Sequence, residues 1–163
     1  MYHELPDPTG RFGYLLWQAA HLVGRVMVEA LQPVELTVAQ LGVLSYTAQE
    51  PGISSAELAR RLFITPQSVH TAVKPLVERA LLERRPHPVN RKVIGVFLTP
   101  DGIDVADQAT ELLDIANKQL LADFTPDAAA DLRQALRRVM VTANPTALDR
   151  SSVRSVPAAP IER

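Results

Sequence analysis

One short helix-start pattern recurs five times along the chain, and this punctuation leaves little choice of architecture. It reads LTVAQL from Leu36, ISSAEL from Ile53, ITPQSV from Ile64, LTPDGI from Leu98 and FTPDAA from Phe124. In each, a Thr or Ser follows an apolar residue, so its hydroxyl can accept a hydrogen bond from the amide three positions on. The apolar residue ahead of the hydroxyl can pack on the one four places after it: Leu36 on Leu41, Ile53 on Leu58, Ile64 on Val69, Leu98 on Ile103. In the first two, Gln40 and Glu57 can return a bond and complete a capping box. In the last three, Pro66, Pro100 and Pro126 take the first helical position, where the missing N–H costs nothing.

These starts predict helices from Thr37 to about Gln49, Ser54 to near Arg61, Thr65 to about Arg79, Thr99 to about Leu121 and Thr125 to about Thr142. A sixth precedes them. From Phe12 to about Leu31, Leu15, Leu16, Ala19, Leu22, Val23, Val26, Met27, Ala30 and Leu31 form a wide helical stripe, delimited by Pro33. The short third helix, its brief connection and the fourth helix make a helix-turn-helix candidate. Two apolar runs follow, ALLER and VIGVFL, with Ile94, Val96 and Leu98 alternating against Val93, Gly95 and Phe97. They read as an antiparallel hairpin with a long tip, RPHPVNRK, whose Pro86 and Pro88 suit a loop. The fold class is therefore mainly α with a small antiparallel β wing. The domain reading is helix 1 over 12–35, a helix-turn-helix unit with its hairpin over 36–99, two further helices over 100–143, and an aperiodic tail over 144–163.

Cysteine is absent, which removes disulfides, thiolate catalysis and Cys-ligated metals. His3, His21, His70 and His87 are scattered without paired metal-site spacing, and no Gly-rich phosphate loop is present. No catalytic residues, metal or cofactor are expected. The opening MYHELPDPTG lacks a basic stretch followed by an apolar one, and no run approaches the length of a membrane span, so the expectation is a cytoplasmic protein without a membrane partner.

Net charge is −1, but it is unevenly placed. Residues 51–99 hold eight basic and three acidic side chains, a net +5, between flanks of −3 each. The fourth helix has an apolar face of Val69, Val73, Leu76, Val77 and Ala80, leaving Gln67, Ser68, His70, Thr71, Lys74 and Glu78 on or beside the other. Gln and Ser near the start of such a helix can bond base edges or phosphates in a major groove. The hairpin tip would then lie alongside, with Arg91 suited to a narrow minor groove and Lys92, Arg84 and Arg85 suited to phosphates. A basic loop that the chain cannot bury thus finds its partner outside the protein.

At this point a family resemblance emerges. ELARRL, the apolar spacing through SVHTAVKPLVERALLERR, the basic NRK and the LTPDG that opens the fifth helix resemble the MarR family of winged helix-turn-helix transcriptional regulators. The match is strongest over 52–106 and follows the helix order over about 12–142. The resemblance implies a homodimer whose first and last helices form a dimerisation layer, two winged domains on successive major grooves of a pseudopalindromic double-stranded DNA operator, and a small-molecule effector that weakens binding. The chain departs from the family pattern in three places: Asn90 stands where Asp is common, Ala80 where Gly is common, and Pro75 where proline is unusual.

Two features carry alternative readings. Apolar stripes on the first, fifth and sixth helices could close an intramolecular core or meet a second copy in a two-fold dimer. Tyr14, Trp17 and His21, at spacings of three and four, either pack in a core or dimer interface or, with Arg25, line an effector pocket for a planar carboxylate or phenol. The functional expectation is a homodimeric, sequence-specific DNA-binding transcriptional regulator, released by a small aromatic or anionic effector. The alternative is a winged-helix protein-interaction module that has lost specific operator binding.

Overall fold

The structure, a computed structural model, describes residues 7–88 and 93–148. Six α-helices follow in order: α1 (Phe12–Leu31), α2 (Val38–Gln49), α3 (Ser55–Leu62), α4 (Pro66–Glu78), α5 (Pro100–Leu120) and α6 (Pro126–Ala143). Three strands complete the fold: β1 (Ile53–Ser54), β2 (Leu82–Pro86) and β3 (Ile94–Leu98).

The helix starts form as their chemistry dictates. Gln40 N donates to Thr37 Oγ1 at 3.2 Å while Thr37 N donates to Gln40 Oε1 at 2.8 Å, a complete capping box. Ser54, Thr65, Thr99 and Thr125 each accept from the amide three residues on. The capping box expected at Ser54 is only half formed: the Glu57 carboxylate turns to arginines instead of the Ser54 amide, taking Arg60 and Arg61 of its own helix, and Arg61 reaches on to Glu50 at the end of α2. Arg61 also lies over the Tyr46 ring, so α2 and α3 are tied by a nearly buried guanidinium.

Beneath these caps lies one apolar core, in which Val69, Val73 and Leu76 of α4 meet Leu44 and Val43 of α2, Leu58 of α3, Leu82 of β2 and Val96 of β3. α1 packs on α5, placing the two long helices in a layer beside the winged unit.

The sheet differs from the expected hairpin in three respects. A third strand, β1, pairs Ile53 with Val96 and Ser54 with Gly95, so β3 is central and the order is β1-β3-β2. Burial on β3 consequently does not alternate: Gly95, Val96 and Phe97 are all buried and Ile94 is exposed. Pro86 belongs to β2 opposite Ile94, where an outer strand tolerates a residue without N–H. Gly52 enables this arrangement, since its φ is +88° and a Cβ there would come within 2.9 Å of Phe97 and of His87.

The turn closing α4 joins three elements. Ala80 occupies the left-handed region at φ +56°, in the position where glycine is the usual residue. Thr99 Oγ1 donates to the Ala80 carbonyl at 2.7 Å and Thr99 N to that of Leu81 at 3.2 Å, while the same hydroxyl caps Gly102 N. Gly102 must be small, because a Cβ would lie 2.0 Å from the Leu81 carbonyl oxygen. The LTPDG motif is thus a docking site for the end of α4. Ala80→Gly should raise the unfolding free energy by about 0.5–1 kcal/mol, the left-handed penalty less the extra entropy of glycine. Urea denaturation should show this as a higher midpoint with an unchanged slope.

Candidate nucleic-acid interface

Burial of Val69, Ala72, Val73 and Leu76 forces the other side of α4 outward, and Gln67, Ser68, His70, Thr71 and Lys74 are all exposed there. Their hydrogen bonds stay local. Thr65 Oγ1 and Ser68 Oγ are 2.9 Å apart, and Thr71 Oγ1 donates to the Gln67 carbonyl at 3.0 Å. Lys74 lies a loose 3.8 Å from Glu78. α4 continues through Pro75, which has no N–H to return to the Thr71 carbonyl. An open groove between α4 and the start of α2 runs past Gln67, Ser68, Thr71 and Pro75 to Thr37 and Gln40.

The strand arginines separate by face. Arg84 sits opposite Val96, on the side of the sheet that carries the core, and its side chain is exposed with no bonding partner among the described residues. Arg85 lies on the other side, its guanidinium 4.0 Å from the Phe97 ring centroid and its Nε 3.4 Å from Glu83. The sequence suggests both for phosphates; the Arg85 stack depends on the β2–β3 register, which sets Arg85 opposite Gly95 and diagonal to Phe97. Asn90, Arg91 and Lys92, at the hairpin tip, lie outside the described residues.

On α1, Tyr14, Trp17 and His21 form a ladder, with ring centroids 5.7 and 5.9 Å apart. Trp17 is 61% exposed, and His21 and Arg25 are also exposed, so the chain by itself does not enclose this group. Sequence reasoning missed Arg79. It is the C-cap of α4 and donates to the carbonyls of Glu35 and Val34 at 2.8 and 3.1 Å.

Among the described residues no group of His, Cys, Asp and Glu could hold a metal, and no helix is long and apolar enough to cross a membrane.

An outward polar helix, buried on its other side and followed by a two-stranded hairpin, defines a winged helix-turn-helix protein. A MarR family model matches residues 35–92, so over its helix-turn-helix and hairpin the chain is similar to the MarR family of transcriptional regulators. The HTH-type transcriptional repressor Rv2887 of Mycobacterium tuberculosis is 28% identical over 127 residues, spanning 78% of this chain and 91% of the relative. Its structures in complex with DNA and with salicylic acid superpose with TM-scores of 0.67 and 0.66, covering 79% of this chain and 97% and 96% of theirs. A mutant of MarR from Escherichia coli complexed with operator DNA is 26% identical, with a TM-score of 0.70 over 78% of this chain and 92% of that one. CouR of Rhodococcus jostii RHA1, bound to p-coumaroyl-CoA, is 23% identical and shares the fold, with a TM-score of 0.78 over 89% of this chain and all of that one.

Arg85→Ala should lower stability by about 0.5–1 kcal/mol. The loss should disappear when Phe97 is already Leu, which a double-mutant cycle by thermal or urea unfolding measures.

Proposed function

We propose that the protein is a homodimeric, sequence-specific transcriptional repressor that binds a pseudopalindromic double-stranded DNA operator and is released by a small aromatic or anionic effector. The exposed polar face of α4 carries this reading, since its side chains bond only locally and are free to exchange those bonds for base edges and phosphates. Gln67, Ser68, His70 and Thr71 read the major groove, and Lys74, Arg84 and Lys92 meet phosphates. Asn90 steadies the wing while Arg91 enters the minor groove. Arg85 supports the wing through Phe97 and reaches phosphate only as a secondary contact.

Apolar exposure supports the dimer. Leu132, Leu136 and Met140 line one side of α6, which among the described residues packs extensively on no other element. α1 adds Phe12, Leu15 and Leu22, also exposed. A second copy that covers both stripes makes a closed two-fold assembly and sets two α4 helices about 34–36 Å apart for successive major grooves. The same closure roofs the ladder of Tyr14, Trp17 and His21, leaving Arg25 to pair with an anionic group. The salicylic acid and DNA complexes of the Rv2887 repressor are consistent with both kinds of partner.

Purified protein titrated with its own promoter-region duplex should bind at least about a thousandfold tighter than it binds a scrambled duplex. Arg91→Ala should weaken the specific complex by about 1–3 kcal/mol. Equal, weak binding to both duplexes would point instead to a winged protein-interaction module. In light scattering the wild-type chain should run as a dimer, and Leu136→Glu combined with Met140→Glu should make it a monomer.

Titrating an aromatic carboxylate such as salicylate should change Trp17 fluorescence and release the operator in the same concentration range. A bound ligand that leaves Trp17 emission and the Trp17→Phe variant's affinity unchanged would remove the pocket assignment.

A further inference from the structure

We propose that Arg79 is a positioning residue that sets how α4 is presented to DNA, by clamping the end of α4 to the elbow between α1 and α2. The inference rests on the operator-binding reading above. Arg79 donates from Nη1 to the Glu35 carbonyl at 2.8 Å and from Nη2 to the Val34 carbonyl at 3.1 Å. Both carbonyls belong to the turn that follows α1, where Glu35 is held at φ +52° and Leu36 N returns to the Leu31 carbonyl. The planar guanidinium fork matches two successive carbonyls, which the point charge of a lysine cannot do in one geometry. The positive charge also suits the C-terminal end of a helix.

The neighbouring residues reinforce the tie. Ala80 and Leu81 are bonded to Thr99, the cap of α5, and α5 packs on α1. The last turn of α4 is therefore fastened to both helices of the outer layer. Its reading end is different: the side-chain bonds of Ser68 and Thr71 stay within Thr65–Thr71. Pro75 stands between the two ends and withholds one bond of the helical ladder. A movement of α1 is thus delivered to α4 at its fastened end, and Arg79 is the link that belongs to α4 itself.

The test uses the full chain with Arg79→Ala and Arg79→Lys, each titrated with promoter-region and scrambled duplex at several salt concentrations. Amide hydrogen exchange is followed in the free protein. Arg79→Ala should bind the promoter duplex about tenfold more weakly, with Arg79→Lys intermediate. The slope of log affinity against log salt should match wild type, because no phosphate contact is lost. Exchange should quicken at Leu36 and along α4, while Val43 and Leu44 in the core keep their protection. A slope shallower by about 0.9, with both duplexes weakened alike, would make Arg79 an ordinary phosphate contact and overturn the proposal. Unchanged exchange at Leu36 and α4 would overturn it too. Should Arg79→Ala not fold, Arg79→Lys carries the same comparisons. If the wild-type chain itself does not discriminate between the duplexes, the operator reading falls, and the exchange comparison still decides whether the clamp exists.

Discussion

One-sided burial of α4 is the constraint from which the rest of the molecule follows. Val69, Val73 and Leu76 are shut away completely and Ala72 nearly so. Each large aliphatic side chain is worth about 1.5–3 kcal/mol when buried. Turning α4 by one residue, about 100°, would expose part of this set and push His70 or Lys74 into the core, so the helix has one rotational setting. That setting fixes Gln67, Ser68 and Thr71 outward. It also fixes where α4 ends, and hence where Arg79, Ala80 and Leu81 meet the start of α5 and the end of α1. The polar face is the consequence of packing behind it, so substitutions at the face should have little effect on folding.

The basic excess in the middle of the chain is distributed among quite different tasks. Arg61 is held by Glu50, Glu57 and Tyr46, and Arg60 by Glu57. Arg79 is bonded to backbone carbonyls and Arg85 rests on Phe97. The net charge of this segment therefore overstates how many cations are at liberty to displace counterions from a duplex. An arginine bonded inside the fold still adds to the long-range potential that steers a polyanion, but it does not form a phosphate contact without first giving up its partner. On the operator-binding reading steering and contact are thereby separated, with Arg84 and Lys74 the exposed cations proposed for contact among the described residues.

How much could be read from the sequence follows the range of the forces involved. Helix starts at Thr37, Ser54, Thr65, Thr99 and Thr125 were legible because a cap and its staple lie within six residues, and the structure forms each of these caps. The outward face of α4 was legible from its periodicity. β1 was not, because Ile53 and Ser54 already had roles as staple and cap, and two residues carry no alternation of their own. Once β1 is present, β3 is paired along both edges, Gly95 is closed in by Gly52 and Phe97 lies under Arg85, so the alternation expected of a half-buried strand gives way to a buried run from Gly95 to Phe97. The stack of Arg85 on Phe97 and the reach of Arg79 to Val34 and Glu35 depend on segments far apart in sequence, and no local pattern announces them. The departures at Ala80 and Pro75 were visible as residue types, whereas their meaning, a strained turn and a ladder lacking one bond, needed coordinates.

The outer helices complete the physical argument. An 18-residue helix such as α6 is only marginally stable alone in water, because most helical stability in proteins comes from burying an apolar face. Yet Leu132, Leu136 and Met140 remain exposed on it, and among its residues only Ala129 is buried. The same chain leaves Phe12, Leu15 and Leu22 of α1 uncovered, so two unsatisfied stripes occur in one molecule. In the proposed dimer each stripe is the answer to the other, and the free energy that holds α6 helical is the free energy of association. Because the end of α4 is bonded to the turn after α1 through Arg79 and to the start of α5 through Thr99, the geometry of that proposed association would also set the separation and tilt of the two α4 helices. On the proposed reading, a ligand that wedged against Trp17 would not have to touch DNA to release it; it would only have to favour a different packing of α1, and the tilt of α4 would follow.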